Sequence, residues 1–422
     1  MRTNIIIILL MSYFAHSMAT SRFIWLHGME GEHGLNTWDI YNAMFTNNQG
    51  YVFEYTSDKT IGNIAKGLYG EKIKAIDDET GSLVLVGHSM GGLVARSLLP
   101  HSPRIKGVIT VGTANNGSAL LGKTVNGTVY DYFSNAIKKA NAAIDASLYS
   151  GIFSGAPVTT LAAPLLIPVN VFKTKTVNTT LFSLKQVMQN AIGIYKFGHP
   201  CLSEMIPGSA YLTNLNKTET VVPHLNIYGA EDHWQVIRAL GSLSKVDAVK
   251  NPANTDRAYD QEYFPSIQAG LAFIYEIQTK HNLVYNALGV AAVFMPWIWI
   301  TRELVLKARF NWDEMYRYLE TGIHTDLAGM LGATQYKLQD YCYPTGIDLS
   351  KLTCKSAYLP VVTENDGILS RSDIVLPSLA KRPVYNIRVA GVNHQEMGNH
   401  IAMRKLLDAV INQKTYGNAF GK

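Results

Sequence analysis

The stretch Leu83–Leu99, LVLVGHSMGGLVARSLL, decides how the rest of the chain is read. LVLV has no polar face, the pattern of a short strand covered on both sides. Gly91 to Leu99 carries helical spacing. Between them, Gly87-His88-Ser89-Met90-Gly91 is G-x-S-x-G in the strand-to-helix setting that this motif needs. The chemistry explains the spacing. A nucleophilic serine must stand on a tight turn, so the residues two before and two after it must lack side chains that would crowd it. The N–H of Met90, at a helix start, then points at negative charge developing on an acyl oxygen. Ser89 is therefore the candidate nucleophile, and the rival reading is an ordinary glycine-bounded turn.

Working outward, strand and helix patterns alternate. Arg22 to Leu26 (RFIWL) reads as a strand, ending in the turn His27-Gly28-Met29-Glu30-Gly31. Helical patterns follow at Trp38 to Phe45 and Ile61 to Ile76, with a strand at Tyr51 to Tyr55 between them. Further strands are expected at Val108 to Val111, His224 to Tyr228 and Val384 to Val389. This alternation predicts an α/β fold, a mostly parallel sheet with helices on both faces. In such a sheet the loop after the first strand supplies a second oxyanion donor, for which the Met29 N–H is the candidate.

Two insertions interrupt the rhythm. The first, about 118–201, holds the uncharged stretch Ala146 to Phe172, broken by Gly151, Gly155, Pro157, Pro164 and Pro168. Those breakers exclude a membrane helix and suit an apolar lid or pocket wall. The second, about 234–359, is expected to be mainly helical, a cap. Its segment Leu283 to Ile300 is apolar apart from Asn286, but Gly289 and Pro296 argue for a buried helix over a membrane span. Trp297 and Trp299 there equally suit a peripheral contact with a lipid interface.

Composition sets the outer limits. The chain has 422 residues, 47% hydrophobic and 16% charged, too apolar for disorder and long enough for one elaborated domain. A net charge of +5 without a block of like charges argues against a nucleic-acid partner. At the N-terminus, Arg2, the apolar run Ile5 to Met11 and the small residues Ser17-Met18-Ala19 come in the order of a secretory signal. The expected division is residues 1–19 as signal and 20–422 as the mature domain, secreted or periplasmic. The rival reading is a buried first strand. Three cysteines are too few for a disulfide scaffold. Export leaves two readings open: a Cys342–Cys354 bridge with Cys201 left over, or three buried thiols.

With these motifs in hand, the LHGMEG turn, the GHSMGG elbow and the segment Ile109 to Ser118 (ITVGTANNGS) resemble the α/β-hydrolase superfamily. The closer similarity is to bacterial lipases and GPI-inositol-deacylase-like serine esterases. Those proteins carry T-P-x-x-G-S after the strand that follows the elbow; here Ala114 replaces the proline. The likeness covers about 23–117, 205–229 and 363–400, and neither insertion, so it says little about substrate.

A triad of this kind runs Ser, then Asp or Glu, then His, which puts the base near the C-terminus. His394 and His400 are the candidates. The resemblance favours His394, since Asn393-His394 follows the last strand where similar lipases place their histidine. For the acid, Asn365-Asp366-Gly367-Ile368-Leu369 resembles the turn that bears the carboxylate in those lipases. Asp232, after the strand HLNIY, is the alternative acid. An Asp-Gly pair is also an ordinary turn. The expected function is a secreted serine hydrolase cleaving lipid-like or medium-chain acyl esters through an acyl-enzyme, without a cofactor. Some similar lipases hold calcium near the histidine loop; Glu396 is the only acid there, so no metal is expected. The rivals are an amidase or thioesterase on the same triad, and a non-catalytic binding protein. Acyl and alcohol specificity and oligomeric state are not legible.

Overall fold

The computed structural model describes residues 21–29, 37–46, 50–77, 81–129, 199–218, 221–231, 322–344, 352–377, 383–394, 396–398 and 400–421, with isolated positions in 131–138 and 272–289. The signal-like residues 1–19, the stretch Ala146 to Phe172, most of Leu283 to Ile300, and Asp232 lie outside the described residues. By internal contacts the chain divides into two units, one of residues 1–122, 196–232 and 364–422, the other of 123–195 and 233–363.

Among the described residues, the first unit is built on six parallel strands: β1 (Ser21–Leu26), β2 (Tyr51–Phe53), β3 (Ser82–His88), β4 (Ile105–Val111), β5 (His224–Ala230) and β8 (Val384–Ala390). Their order across the sheet is β2-β1-β3-β4-β5-β8. Every neighbouring pair is parallel, so the chain crosses over a face between strands. The apolar runs Phe23–Leu26 and Leu83–Val86 were legible as strands for this reason: both their faces are covered.

Among the described residues, the helices are α1 (Thr37–Thr46), α2 (Ile61–Leu68), α3 (Lys74–Asp77), α4 (Met90–Leu98), α5 (Ala119–Val125), α6 (Pro200–Glu204), α7 (Ala210–Lys217), α8 (Ile323–Met330), α9 (Arg371–Ile374) and α10 (Ile401–Ile411). A π-helical turn, Tyr69–Ile73, joins α2 to α3. On one face of the sheet, Trp38, Tyr41 and Phe45 of α1 and Met403, Leu407 and Val410 of α10 pack on Trp25, Val84, Val86, Ile109 and Ile227. The other face carries α4, which touches β1, β3 and β4 and packs against α2. Strand residues alternate between these two layers, which is why β3 shows no polar side. The expected architecture, a mostly parallel sheet with helices on both faces, is what this unit has.

The second unit holds an element that was not expected. The segment read as mainly helical contains an antiparallel hairpin, β6 (Thr334–Pro344) and β7 (Leu352–Val362), eleven residues per strand. Its Tyr and Thr residues favour strand, but nearly all side chains described in it are at least partly exposed, so no alternation of polar and apolar marked it. Cys354 is disulfide-bonded, and the residue opposite it in the ladder is Cys342. Cys201, in the first unit, is a buried thiol whose Sγ donates to the Ser57 carbonyl at 3.1 Å.

Candidate active site

The site is assembled at the carboxyl ends of the parallel strands, where such sheets bind ligands. Strand β3 ends at His88, Ser89 turns the chain, and α4 begins at Met90. Ser89 has φ 52 and ψ −124, a conformation that costs a residue with a Cβ energy. Its N–H donates to the Val111 carbonyl at 2.9 Å and its carbonyl accepts from the Gly92 N–H at 3.1 Å, which hold it there. The flanking glycines are steric necessities. A Cβ on Gly87 would run into the Gly91 and Gly92 backbone, and one on Gly91 into the backbone of Leu26 and His27. Met90 is fully buried at the first turn of α4, where backbone N–H groups have no partner within the helix.

His394 and Asp366 are both buried, and each is presented by a loop following a sheet or hairpin strand. His394 Nε2 lies 3.1 Å from Ser89 Oγ, and its Nδ1 lies 2.8 Å from Asp366 Oδ2. A carboxylate only accepts, so Nδ1 carries the proton and Nε2 is free to accept from the serine hydroxyl. The arrangement can therefore move a proton from Ser89 to His394 and stabilise the resulting imidazolium. Asp366 is fixed by its other oxygen, which accepts from the N–H groups of Ile368 and Leu369 at 3.0 and 2.7 Å. His400 does not join this group; its Nδ1 accepts from the Ala402 N–H and caps α10.

Met29 stands in the turn after β1, and the turn is braced at His27. His27 Nδ1 lies 2.6 Å from the Gly28 carbonyl, and its Nε2 accepts from the Tyr55 N–H at 3.2 Å. Those two contacts are compatible only with a neutral ring protonated on Nδ1. The Tyr55 hydroxyl donates to the His27 carbonyl, and its ring stacks on the imidazole at 4.0 Å. No sequence signal marked Tyr55.

Two further supports were also unread. Asn393 and Glu396 bond reciprocally, side chain to backbone, at 3.0 Å in each direction, across the loop bearing His394. Thr110, Asn226 and Asn386 stand in register on β4, β5 and β8 and are hydrogen-bonded in a row. Asn226 and Asn115 both donate to the Ile374 carbonyl, at 3.0 and 2.8 Å, and so tie down the segment that follows Asp366. Neutral side chains satisfy one another here without the cost of burying charge. Only the expectation that a buried polar residue has a partner could have pointed to them.

A family model described as PGAP1-like alpha/beta domain matches residues 41–179. No curated protein matches the chain. Among solved structures, it is similar to phospholipase PlaB from Legionella pneumophila, at 14% identity and a TM-score of 0.30, over 56% of this chain and 44% of that one. It is also similar to an extracellular alpha/beta-hydrolase from a Paenibacillus species, at 16% identity and a TM-score of 0.25, over 50% of this chain and 77% of that one. The chain thus spans less than half the length of the phospholipase. The parallel sheet, its strand order and the strained serine between β3 and α4 give this chain an α/β-hydrolase fold, with a resemblance to the PGAP1-like alpha/beta domain.

Proposed function

We propose that the chain is a serine hydrolase of carboxylic esters, with Ser89 as nucleophile, His394 as base and Asp366 as the acid that orients it. The observation that supports this most is the unbroken line from Ser89 Oγ to His394 Nε2 at 3.1 Å and from His394 Nδ1 to Asp366 at 2.8 Å. His394 takes the Ser89 proton as the oxygen attacks the ester carbonyl. The N–H groups of Met29 and Met90 receive the oxyanion, each worth about 2.7–4 kcal/mol at such sites. His394 then returns the proton to the leaving alcohol, and water, activated by the same base, releases the acid from the acyl-enzyme. Every step uses groups of this chain.

The substrate class proposed is a lipid-like or medium-chain acyl ester. Its support is chemical: the uncharged stretch Ala146 to Phe172 suits an acyl chain, at about 0.8 kcal/mol for each buried CH2. Export belongs to the same reading, with cleavage after Ala19; the disulfide at Cys354 suits an oxidising compartment. One experiment tests the core of it. A fluorophosphonate probe is expected to label the wild type and not Ser89→Ala, and p-nitrophenyl esters from acetyl to octanoyl should show kcat/KM rising with chain length. Equal labelling of both proteins would refute the nucleophile. A preference for acetyl would move the substrate to small esters.

A further inference from the structure

His88 is the one elbow residue with a functional side chain that the proposed reaction does not use. Its ring lies 5.0 Å from the His394 ring, centroid to centroid, and meets Trp38 edge-on at 6.5 Å. Its Nε2 is 3.0 Å from the main-chain oxygen of His394. A carbonyl oxygen only accepts, so Nε2 carries the proton and donates. Burial, reinforced by the neighbouring His394, pushes His88 down to about 3, so the ring is neutral in any ordinary buffer. Neutrality matters here, because a second cation 5.0 Å away would oppose the imidazolium that must form on His394.

On the side of the acid, two hydrogen bonds hold His394. Its N–H donates to the Asp366 carbonyl and its Nδ1 to the Asp366 carboxylate, both at 2.8 Å. These two bonds orient the ring but do not refer it to the elbow. The contact from His88 does, since His88 is the chain neighbour of Ser89 and the Ser89 N–H is pinned to Val111. We propose that His88 is a positioning residue for the base, gripping the His394 carbonyl so that the nucleophile's own neighbour sets the distance between His394 and Ser89. The inference rests on the serine-hydrolase reading and deepens it. A misplacement of the base by an ångström is enough to slow such chemistry strongly.

The two amide side chains separate this role from mere packing. Glutamine carries its amide nitrogen where the imidazole Nε2 stands, whereas asparagine stops at the position of Nδ1. The measurements are the fluorophosphonate labelling rate, kcat and KM on p-nitrophenyl butyrate, and the thermal midpoint. They are made on the full chain as wild type, Ser89→Ala, His88→Gln and His88→Asn. His88→Gln is expected to stay within about threefold of wild type in kcat and labelling rate. His88→Asn is expected to lose about tenfold or more in both, with KM within about twofold and a midpoint close to that of His88→Gln. Equal rates for the two variants, with wild type labelling normally, would overturn the role of His88 and leave the hydrolase reading standing. No labelling of the wild type would instead sink the hydrolase reading itself. Should His88→Asn not fold, His88→Gln still decides: more than tenfold loss in that folded variant overturns the proposal, and retention supports it.

Discussion

Asp366 holds His394 twice: its carboxylate accepts from the imidazole Nδ1 and its main-chain carbonyl accepts from the His394 N–H, each at 2.8 Å. The backbone bond places the loop, and the side-chain bond selects the tautomer. The two functions can be separated by mutation, because only the second depends on the carboxylate.

Asp366→Asn is expected to leave the fold intact and lower kcat by about 10³–10⁴-fold, since an amide at this place stabilises the wrong imidazole tautomer. Asp232→Asn should remain near wild type. Steady-state kinetics beside a circular-dichroism melt checks both. If Asp232→Asn abolishes turnover while Asp366→Asn keeps it, the acid has been misassigned.

Gly28 touches the elbow. A Cβ added there would stand 3.1 Å from Ser89 Cβ and 3.3 Å from His88 Nδ1, tighter than ordinary packing. Gly28→Ala must therefore push the His27–Met29 turn away from Ser89 and weaken the Met29 donor. A fall in kcat of about 10–100-fold is expected, below the loss from deleting a donor outright. Unchanged kcat would show that Met29 contributes no oxyanion bond.

Glu396 accepts from the Asn393 N–H beside His394 and is itself buried. Glu396→Ala removes that acceptor and is expected to lower stability by about 1–3 kcal/mol. Because the loop also carries the base, kcat should fall as well. Urea unfolding and kinetics on one preparation test this; a variant as stable and as fast as wild type would contradict it.

Asp373 predicts a pH signature. It closes the capping box of α9 with Ser370, and burial pushes its carboxyl up to about 6, the nearby charge of Asp366 adding to the rise. The folded chain thus holds this proton more tightly than the unfolded chain, whose value is near 3.9. The sign follows: its stabilising contribution is full below about pH 4 and is lost as pH rises toward and through 6. Asp373→Asn stays neutral and keeps an acceptor for Ser370. Relative to wild type its melting midpoint should climb between pH 4 and 6.5, by an amount worth about 3 kcal/mol at most. A difference that does not change with pH would rule this out.

The amino-acid sequence by itself determined the strands of the parallel sheet and the elbow, while His394 and Asp366 were favoured through the resemblance to lipases. Runs such as Phe23–Leu26 and Leu83–Val86 have no polar side chain, and G-x-S-x-G between strand and helix admits few geometries, so local pattern and sterics sufficed for these. The tertiary structure alone decided what holds those residues in place. His88 on the His394 carbonyl, Tyr55 on the His27 carbonyl, and the Thr110, Asn226 and Asn386 row are neutral hydrogen bonds between residues that lie tens to hundreds of positions apart, and no periodicity encodes such a meeting. The β6–β7 hairpin escaped for the complementary reason. Its side chains are largely exposed on both faces, and without a buried side there is no alternation to read.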